Sequence, residues 1–164
     1  MKIAMLTNNY KPFIGGVPIS IERLAEGLRN LGHQVTVFAP EGAGCKEEPG
    51  VVRYRVLYEQ RDKGLVIGNF IDKQIEKEFR DGQFDVIHVH HPVVIGFTAV
   101  YLSKKYGIPL AYTYHTRYEE YLHYFKLYER MTAGREPVRN AARFSREVLV
   151  PKYLTAFADQ CDTV

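Results

Sequence analysis

The stretch that decides the fold is Lys2-Ile-Ala-Met-Leu-Thr7, together with the helix and strand patterns that follow it. Residues 2–7 form a short apolar run, which is typical of a buried parallel strand. Apolar residues then recur at helical spacing over 21–31, and Gly32 stands where a helix C-terminal cap belongs. Val35–Ala39 is the next apolar strand. Two strands joined through one helix need a crossover connection, so this unit predicts a parallel pair.

The alternation of strand and helix patterns continues along the chain. Further strands are predicted over Val52–Val56, Phe84–Val89 and Leu110–Tyr114, and helices over Asn69–Arg80, Val93–Lys105, a stretch beginning near Thr116, and a last helix with Pro137 in its first turn. Pro151 is expected to interrupt or kink that last helix, and Asp162-Thr-Val164 looks like the start of one more strand. The sequence therefore predicts an α/β domain with a Rossmann-like, doubly wound parallel sheet.

Composition narrows the class of protein. The chain has 164 residues and a formal net charge of +3, which is too small to indicate nucleic-acid binding. No apolar run approaches the roughly 18–20 residues that a membrane span needs. Cys45 and Cys161 show no spacing typical of a metal or redox motif, so we expect two unpaired, reduced thiols.

Three loops are expected to share one rim of the sheet. Ligands of open parallel sheets bind outside the carboxyl ends of the strands. The segments that follow predicted strands there are Asn8–Gly16, His88–Pro92 and Tyr114–Arg117. Topology alone therefore predicts that these segments lie together at the site.

Gly15 and Gly16 stand just before the first predicted helix. Free backbone N–H groups and the helix dipole favour an anion there, and glycines allow a ligand to approach the backbone closely. The alternative is a turn that requires positive φ. Because the GxGxxG spacing is missing, a nicotinamide-dependent dehydrogenase is disfavoured.

Histidines are concentrated in the other two loops. A metal site built on His88, His90 and His91 is disfavoured because only Asp85 is near them in sequence, so histidines that form hydrogen bonds in a cleft are expected instead. The alternation of side chains along a strand puts His88 and His90 on one side. His115 ends a strand directly before a helix, a position that favours the cleft, although a core histidine is the open alternative.

Two other features have a structural and a functional interpretation. Thr116 and Glu119 fit a capping box, which accounts for both without a ligand. Arg139, Arg143 and Arg146 share one helical face, opposite Val138, Ala142 and Leu149. Such a face can attract anionic lipid headgroups, but pattern alone favours a solvated outer face over a core-packing stripe.

Several motifs, in their order and spacing, resemble family 4 glycosyltransferases. They are Lys2-Ile-Ala-Met-Leu6, Gly15-Gly-Val17, Asn30-Leu-Gly-His33, Phe84-Asp-Val-Ile-His88, His91-Pro92 and Cys161-Asp-Thr-Val164. The resemblance implies the GT-B architecture, with residues 1–164 as its N-terminal, acceptor-side domain and a C-terminal nucleotide-sugar domain that this chain lacks. It also implies retention of anomeric configuration, no metal ligand set, and no transfer by the fragment alone.

The resemblance also suggests roles for individual residues. Gly15 and Gly16 match the glycine loop near the donor diphosphate and the acceptor, and His115 matches the cleft histidine that contacts the donor sugar and is treated as catalytic. His115 would orient a sugar hydroxyl or stabilise developing positive character. The remaining residues expected to bind donor or acceptor are Tyr10, His91, Thr116, Tyr118 and Tyr121.

The run from Tyr112 to Tyr121, followed by His123-Tyr124, is similar to bacterial diacylglycerol glucosyltransferases, which move glucose from UDP-glucose to a membrane lipid. This similarity implies a cytoplasmic protein bound peripherally to the inner face of the plasma membrane. The residues then expected to meet an anionic membrane surface are Lys73, Lys77, Arg80, Arg139, Arg143 and Arg146. The alternatives are a glycosyltransferase of soluble or cell-wall acceptors that uses another sugar nucleotide, and a noncatalytic Rossmann-like binding module.

Overall fold

The computed structural model describes residues 1–42, 44–60, 65–69, 72–115, 133 and 136–164. Its strands are β1 (Lys2–Leu6), β2 (Gln34–Pro40), β3 (Val51–Tyr54), β4 (Val56–Gln60), β5 (Leu65–Gly68), β6 (Val86–Val89) and β7 (Leu110–Tyr112). Its helices are α1 (Gly16–Asn30), α2 (Lys73–Gly82), α3 (Ile95–Tyr106), α4 (Glu136–Phe144) and α5 (Val150–Ala158), with a π-helical turn over Ser145–Leu149 between the last two.

Five of these strands form one parallel sheet with the order β3-β2-β1-β6-β7. The chain adds strands on one side of β1 and then returns to add β6 and β7 on the other side. The predicted parallel pair of β1 and β2 and the α/β class are therefore confirmed. The strand order reverses between β1 and β6, and such a reversal opens a crevice at the carboxyl ends of the two strands.

The core lies on both faces of the sheet, because successive side chains of a strand point to opposite sides. Ile3 and Met5 of β1 pack in a cluster with Ile21 and Ala25 of α1. The opposite face of β1 packs in a second cluster with α2, α3 and α5, whose buried members include Phe79, Ala99 and Phe157. This three-layer arrangement fixes the carboxyl ends of β1, β6 and β7 relative to α1.

Helix boundaries follow local capping. Gly32 has φ +85 just beyond α1, as the C-terminal cap prediction requires. The prediction that the next helix begins at Asn69 is wrong, because α2 begins at Lys73. The reason is Asp72, whose carboxylate accepts a hydrogen bond from the Gln74 N–H at 2.9 Å and thereby satisfies a free donor of the first turn.

The predicted strand Val52–Val56 divides into two elements. β3 ends at Tyr54, whose hydroxyl donates to the Thr7 carbonyl oxygen at 2.7 Å, and the Arg55 N–H donates to the Asp72 carboxylate at 2.9 Å. β4 then leaves the sheet and pairs with β5 in an antiparallel hairpin that the sequence did not predict.

The last part of the chain contains two helices separated by a π-helical turn. Pro137 lies in the first turn of α4, as predicted. The expected interruption at Pro151 is confirmed, because the regular α-helix ends at Phe144, a π-helical turn follows, and a new α-helix begins at Val150 with the proline in its first turn. The predicted strand start near Thr163 is confirmed, since the Tyr112 N–H donates to the Thr163 carbonyl oxygen at 2.9 Å.

Candidate functional site

The candidate site lies at the crevice between β1 and β6. Thr7 Oγ1 is 3.3 Å from His91 Nδ1, and the Asn8 N–H donates to the same nitrogen at 3.2 Å. The Asn8 side-chain amide donates to the Val93 carbonyl oxygen at 2.9 Å. These bonds join the loop after β1 to the loop after β6. His91 is buried by this contact, and its Nδ1 acts as an acceptor, so its proton lies on Nε2.

Three imidazoles line up beside that junction, and we call His88, His90 and His115 the histidine row. The ring centroids of His88 and His90 are 4.3 Å apart, which confirms that the two side chains share one side of the sheet. His90 Nδ1 lies 2.9 Å from His115 Nε2. His88 Nε2 lies 2.7 Å from Thr113 Oγ1. The row therefore joins the loop after β6 to the segment after β7.

The histidine row is uncharged at neutral pH. Burial, followed by the repulsion that protonated His115 would exert, lowers the pKa of His88 to about 4. Burial and the adjacent imidazoles lower the pKa of His90 to about 2, and burial and His115 lower the pKa of His91 to about 3. Burial also lowers the pKa of His115. Each ring can therefore donate one hydrogen bond and accept one, without a fixed positive charge.

The amino end of α1 follows β1 at this rim of the sheet, and we take it as the other side of the crevice. Gly15 is the residue before the helix and has φ −169 and ψ 169, an extended conformation that any residue adopts. The alternative of a turn that requires positive φ at Gly15 or Gly16 is therefore wrong, since neither has it. Within the described residues, no side chain caps this end and no acidic residue lies in the first turn. Its N–H groups and dipole are available to an anion.

The two glycines differ in what surrounds them. A Cβ on Gly15 would lie 2.9 Å from Phe13 Cε1. A Cβ on Gly16 would have none of the described atoms within 4 Å. Packing within the described part of the domain therefore gives no reason for glycine at position 16, whereas a ligand that approaches the backbone would give one.

Tyr10 lies deeper than the sequence suggested. Its side chain is buried in the cluster between α1 and the sheet, and burial raises its pKa. Lys11 Nζ and Arg53 Cζ lie 5.5 and 5.6 Å from the centre of its ring. A ligand-binding role for Tyr10 stays a prediction.

A cavity of about 350 Å³ beside this loop was missed by the sequence reasoning. Lys11 bridges Glu22 and Glu48 at 2.8 and 2.9 Å in its wall. Arg53 also lines it and is half-buried, with one terminal nitrogen donating to the Pro40 carbonyl oxygen at 3.1 Å. Sequence patterns did not predict this cavity, because Lys11, Glu22, Glu48 and Arg53 come from segments that are far apart in the chain.

The predicted membrane-facing cations are exposed. Lys73, Lys77 and Arg80 lie on the outer side of α2, whose inner side buries Ile75 and Phe79. Arg139, Arg143 and Arg146 are also exposed, and Arg143 pairs with Glu147 at 2.9 Å.

The core-packing stripe predicted opposite these arginines is only partly correct. Ala142 is fully buried, but Val138 and Leu149 are 41% and 52% exposed. Val138 lies in the first turn of α4, and Leu149 lies in the π-helical turn, which rotates the following residues relative to a regular α-helix. Arginines and apolar side chains are thus both exposed along this segment.

Some predicted residues lie outside the described part of the chain. They are Thr116, Tyr118 and Tyr121, together with the capping-box partner Glu119.

Among the described residues, no group of three or more His, Cys, Asp or Glu side chains could hold a metal ion. In the same ranges, no helix combines the length and apolar character that crossing a bilayer requires. Cys45 and Cys161 are unpaired.

An open parallel sheet with a crevice at its switch point, a bare helix N-terminus and neutral imidazoles defines a Rossmann-like α/β domain. The chain belongs to glycosyltransferase family 4, whose family model matches residues 14–156. This family model describes the N-terminal domain of the GT-B architecture, in agreement with the fold.

The names of several relatives refer to lipids. The chain is 36% identical over 128 residues to alpha-monoglucosyldiacylglycerol synthase of Acholeplasma laidlawii, and 29% identical over 129 residues to the enzyme of that name from Streptococcus pneumoniae. It is 31% identical over 120 residues to phosphatidyl-myo-inositol mannosyltransferase of Mycolicibacterium smegmatis. These alignments cover 76%, 76% and 71% of this chain but only 32%, 29% and 31% of the relatives. The chain thus spans about a third of their length.

Proposed function

We propose that this chain is the acceptor-side domain of a retaining glycosyltransferase that moves glucose from UDP-glucose to a membrane lipid of the diacylglycerol type. The observation that carries the proposal is the 2.9 Å contact between His90 Nδ1 and His115 Nε2, at the rim of the sheet where the topology also places the open N-terminus of α1. The complete enzyme would include a C-terminal domain that binds most of the nucleotide sugar and faces this crevice. Transfer would require both domains.

The two sides of the crevice suit the two parts of such a donor. Backbone N–H groups at Gly16 and Val17, at the positive end of the α1 dipole, would attract the diphosphate. His115 would form a hydrogen bond with a sugar hydroxyl and fix the position of the ring. Because its pKa is lowered by burial, the imidazole would be neutral at neutral pH and would not repel positive charge that develops at the anomeric carbon. His91, Thr116, Tyr118 and Tyr121 would complete the site.

The lipid acceptor is supported by the exposed surface of the last helices. Val138, Phe144 and Leu149 are 41%, 54% and 52% exposed beside arginines on the same helical segment. Apolar side chains flanked by cations are typical of helices that lie in a membrane interface. We propose that this surface and the basic side of α2 hold the enzyme on the anionic inner face of the plasma membrane.

Product analysis tests the acceptor and the donor together. The complete protein that carries this chain is incubated with labelled UDP-glucose and vesicles containing diacylglycerol, and the lipid fraction is analysed. We expect a glucosyl lipid with retained anomeric configuration. Label that reaches only a soluble sugar or sugar phosphate, with none in the lipid, contradicts the lipid acceptor.

Vesicle sedimentation tests the membrane surface separately. Replacing Arg139, Arg143 and Arg146 with Gln should weaken binding to anionic vesicles, since each basic residue near the surface contributes about 1 kcal/mol. A matched control replaces Arg23, Lys46 and Lys104, which are exposed elsewhere, with the same change in net charge. If both triple variants lose vesicle binding equally, the loss comes from net charge alone and not from this surface.

A second candidate is transfer to a soluble or cell-wall acceptor from another sugar nucleotide. The observation that favours it is 32% identity over 115 residues to D-inositol 3-phosphate glycosyltransferase of Pseudarthrobacter chlorophenolicus. The same assay with GDP-mannose and UDP-N-acetylglucosamine as donors, and with soluble acceptors, distinguishes the two candidates.

A further inference from the structure

His90 is the most constrained member of the histidine row. Its side chain is 1% exposed, its Nδ1 lies 2.9 Å from His115 Nε2, and its Nε2 is buried with no hydrogen-bond partner among the described residues. Two nitrogens at this distance share one proton in a hydrogen bond, so one of them donates and the other accepts. The direction of this bond decides which nitrogen of His115 carries a proton.

The unpaired Nε2 of His90 decides the direction. His90 is neutral at neutral pH, because burial in the row lowers its pKa to about 2, so it has one N–H. If His115 donated to Nδ1, the proton of His90 would lie on Nε2 and form a buried N–H without a described acceptor. Buried N–H groups left unpaired are rarer than unpaired acceptors. The favoured arrangement puts the proton of His90 on Nδ1.

We infer that His90 is a positioning residue that donates from Nδ1 to His115 Nε2 and thereby holds the proton of His115 on its own Nδ1. The nitrogen of His115 that carries the proton is then the one that His90 does not contact. Nδ1 is the atom with which His115 would donate to a sugar hydroxyl oxygen, and Nε2 is closed to substrate. The catalytic consequence rests on the proposed function, whereas the tautomer does not.

The tilted packing of the His88 ring against the His90 ring supports the orientation of His90. The His88 ring lies 4.3 Å from the His90 ring, centroid to centroid, and is itself held by Thr113 Oγ1 at 2.7 Å. His88 has no hydrogen bond to His115 among the described contacts. His88 therefore supports the ring plane of His90, while the hydrogen bond from His90 alone sets the tautomer of His115.

Nitrogen NMR of the protein with labelled histidine tests the tautomer directly. In the wild type at pH 7.5 we expect His115 Nδ1 to carry the proton and Nε2 to be the bare nitrogen. A wild-type spectrum with the proton on Nε2 overturns the inference without any variant. His90→Asn places an amide N–H near the former Nδ1 and should keep the Nδ1 proton, whereas His90→Leu should move it wholly or partly to Nε2.

His88→Leu is the matched control, because it removes a buried imidazole of the same row without touching the bond to His115. It should leave the tautomer of His115 unchanged, and a shift as large as that of His90→Leu contradicts the specific role of His90. Unfolding curves establish that each variant is folded. If His90→Leu does not fold, the wild-type and His90→Asn spectra still decide the tautomer.

Turnover by the complete enzyme tests the consequence. His90→Leu should lower kcat roughly tenfold or more with little change in KM, and His90→Asn should restore most of it, because the lost interaction acts on the reacting geometry. An active enzyme whose His115 tautomer does not respond to His90 contradicts this inference alone. The expected tautomers in a protein with no transferase activity contradict the proposed function alone.

Discussion

The two sides of the crevice are built in different ways. The α1 side is made of backbone, with Gly16 at the start of the helix and no described atom where its side chain would be. The opposite side is made of side chains, in which His90 is 1% exposed and joined to His115 at 2.9 Å. A ligand on the α1 side would meet backbone N–H groups, which do not depend on a particular side chain. A ligand on the histidine side would meet the imidazole of His115 in the orientation that His90 fixes.

This difference separates effects on the ligand from effects on the fold. A methyl group added at Gly16 enters open space, so any change that it causes in a reaction reports contact with a ligand. A change in the histidine row alters a ligand contact, a buried hydrogen bond and a titrating group together. Substitutions on the row therefore need measurements of stability beside measurements of activity.

The largest effect is expected from His115→Ala in the complete enzyme. Losing the group that orients the donor sugar should lower kcat by roughly 10²-fold or more, within the range typical of a positioned acid, base or hydrogen-bond donor. The fold should survive, since His115 is only half-buried at the edge of the sheet. Initial rates with saturating donor and acceptor give kcat.

His33→Ala is the control for that variant, because His33 lies just before β2, at the amino-terminal edge of the sheet. It should keep wild-type turnover. Wild-type turnover in His115→Ala itself would remove His115 from the mechanism and leave the α1 side as the only supported part of the site.

The next effect concerns stability and pH. Unfolded histidines take up protons near pH 6.5, but His88 and His91, whose pKa values are lowered to about 4 and about 3, do so only in stronger acid. Between the folded and unfolded pKa values, the unfolded chain binds more protons than the folded chain does. The free energy of unfolding is therefore highest above pH 6.5 and falls as the pH drops toward 4. Each such histidine contributes a slope of up to about 1.4 kcal/mol per pH unit.

His91→Asn makes this slope measurable. The Asn oxygen can still accept from the Asn8 N–H, but the group no longer titrates, so the variant should lose stability less steeply than the wild type between pH 6.5 and 4. Ile75→Val, a core control, should cost about 0.5–1.5 kcal/mol equally at every pH. Urea unfolding followed by tyrosine fluorescence measures both, and parallel slopes for wild type and His91→Asn contradict the lowered pKa of His91.

The topology of the crevice could be predicted from sequence because it depends on the spacing of apolar residues and on the residues that end each helix and strand. The apolar run at β1, the helical spacing that ends at Gly32 and the apolar β2 allow one parallel arrangement, and the position of the three loops follows from it. The start of α2 could not be placed in the same way. Its signal is a single Asp72 carboxylate, which is also held by the Arg55 N–H from a distant strand.

The internal contacts of the site were less predictable. Sequence placed His88 and His90 on one side but gave no reason to expect a 2.9 Å bond from His90 to His115, because that bond depends on the register of β6 against β7. The half-buried position of Arg53 was likewise not predicted, since Arg53 lines a cavity with residues from distant segments. Pairings between residues far apart in the chain are set by tertiary packing, which local patterns do not contain.

The smallest effect gives the sharpest comparison, because two glycines of α1 serve as each other's control. Gly16 and Gly27 both have open space where a Cβ would lie, as judged from the described atoms. Alanine in a helix is favoured over glycine by roughly 0.5–1 kcal/mol, so Gly27→Ala should raise stability by about that amount. Gly16→Ala, at the first position of the helix, should be close to neutral for stability.

The same two substitutions should have the reverse pattern of effects on enzyme kinetics, where only the change at Gly16 matters. Gly27→Ala should keep wild-type kinetics, whereas Gly16→Ala should raise KM for the nucleotide sugar roughly tenfold, since its methyl group stands where the donor diphosphate would approach the helix N–H groups. Donor titrations at fixed acceptor concentration measure KM. Equal kinetics in the two variants would show that no ligand approaches the α1 N-terminus, and the histidine row would then have to bind the donor without it.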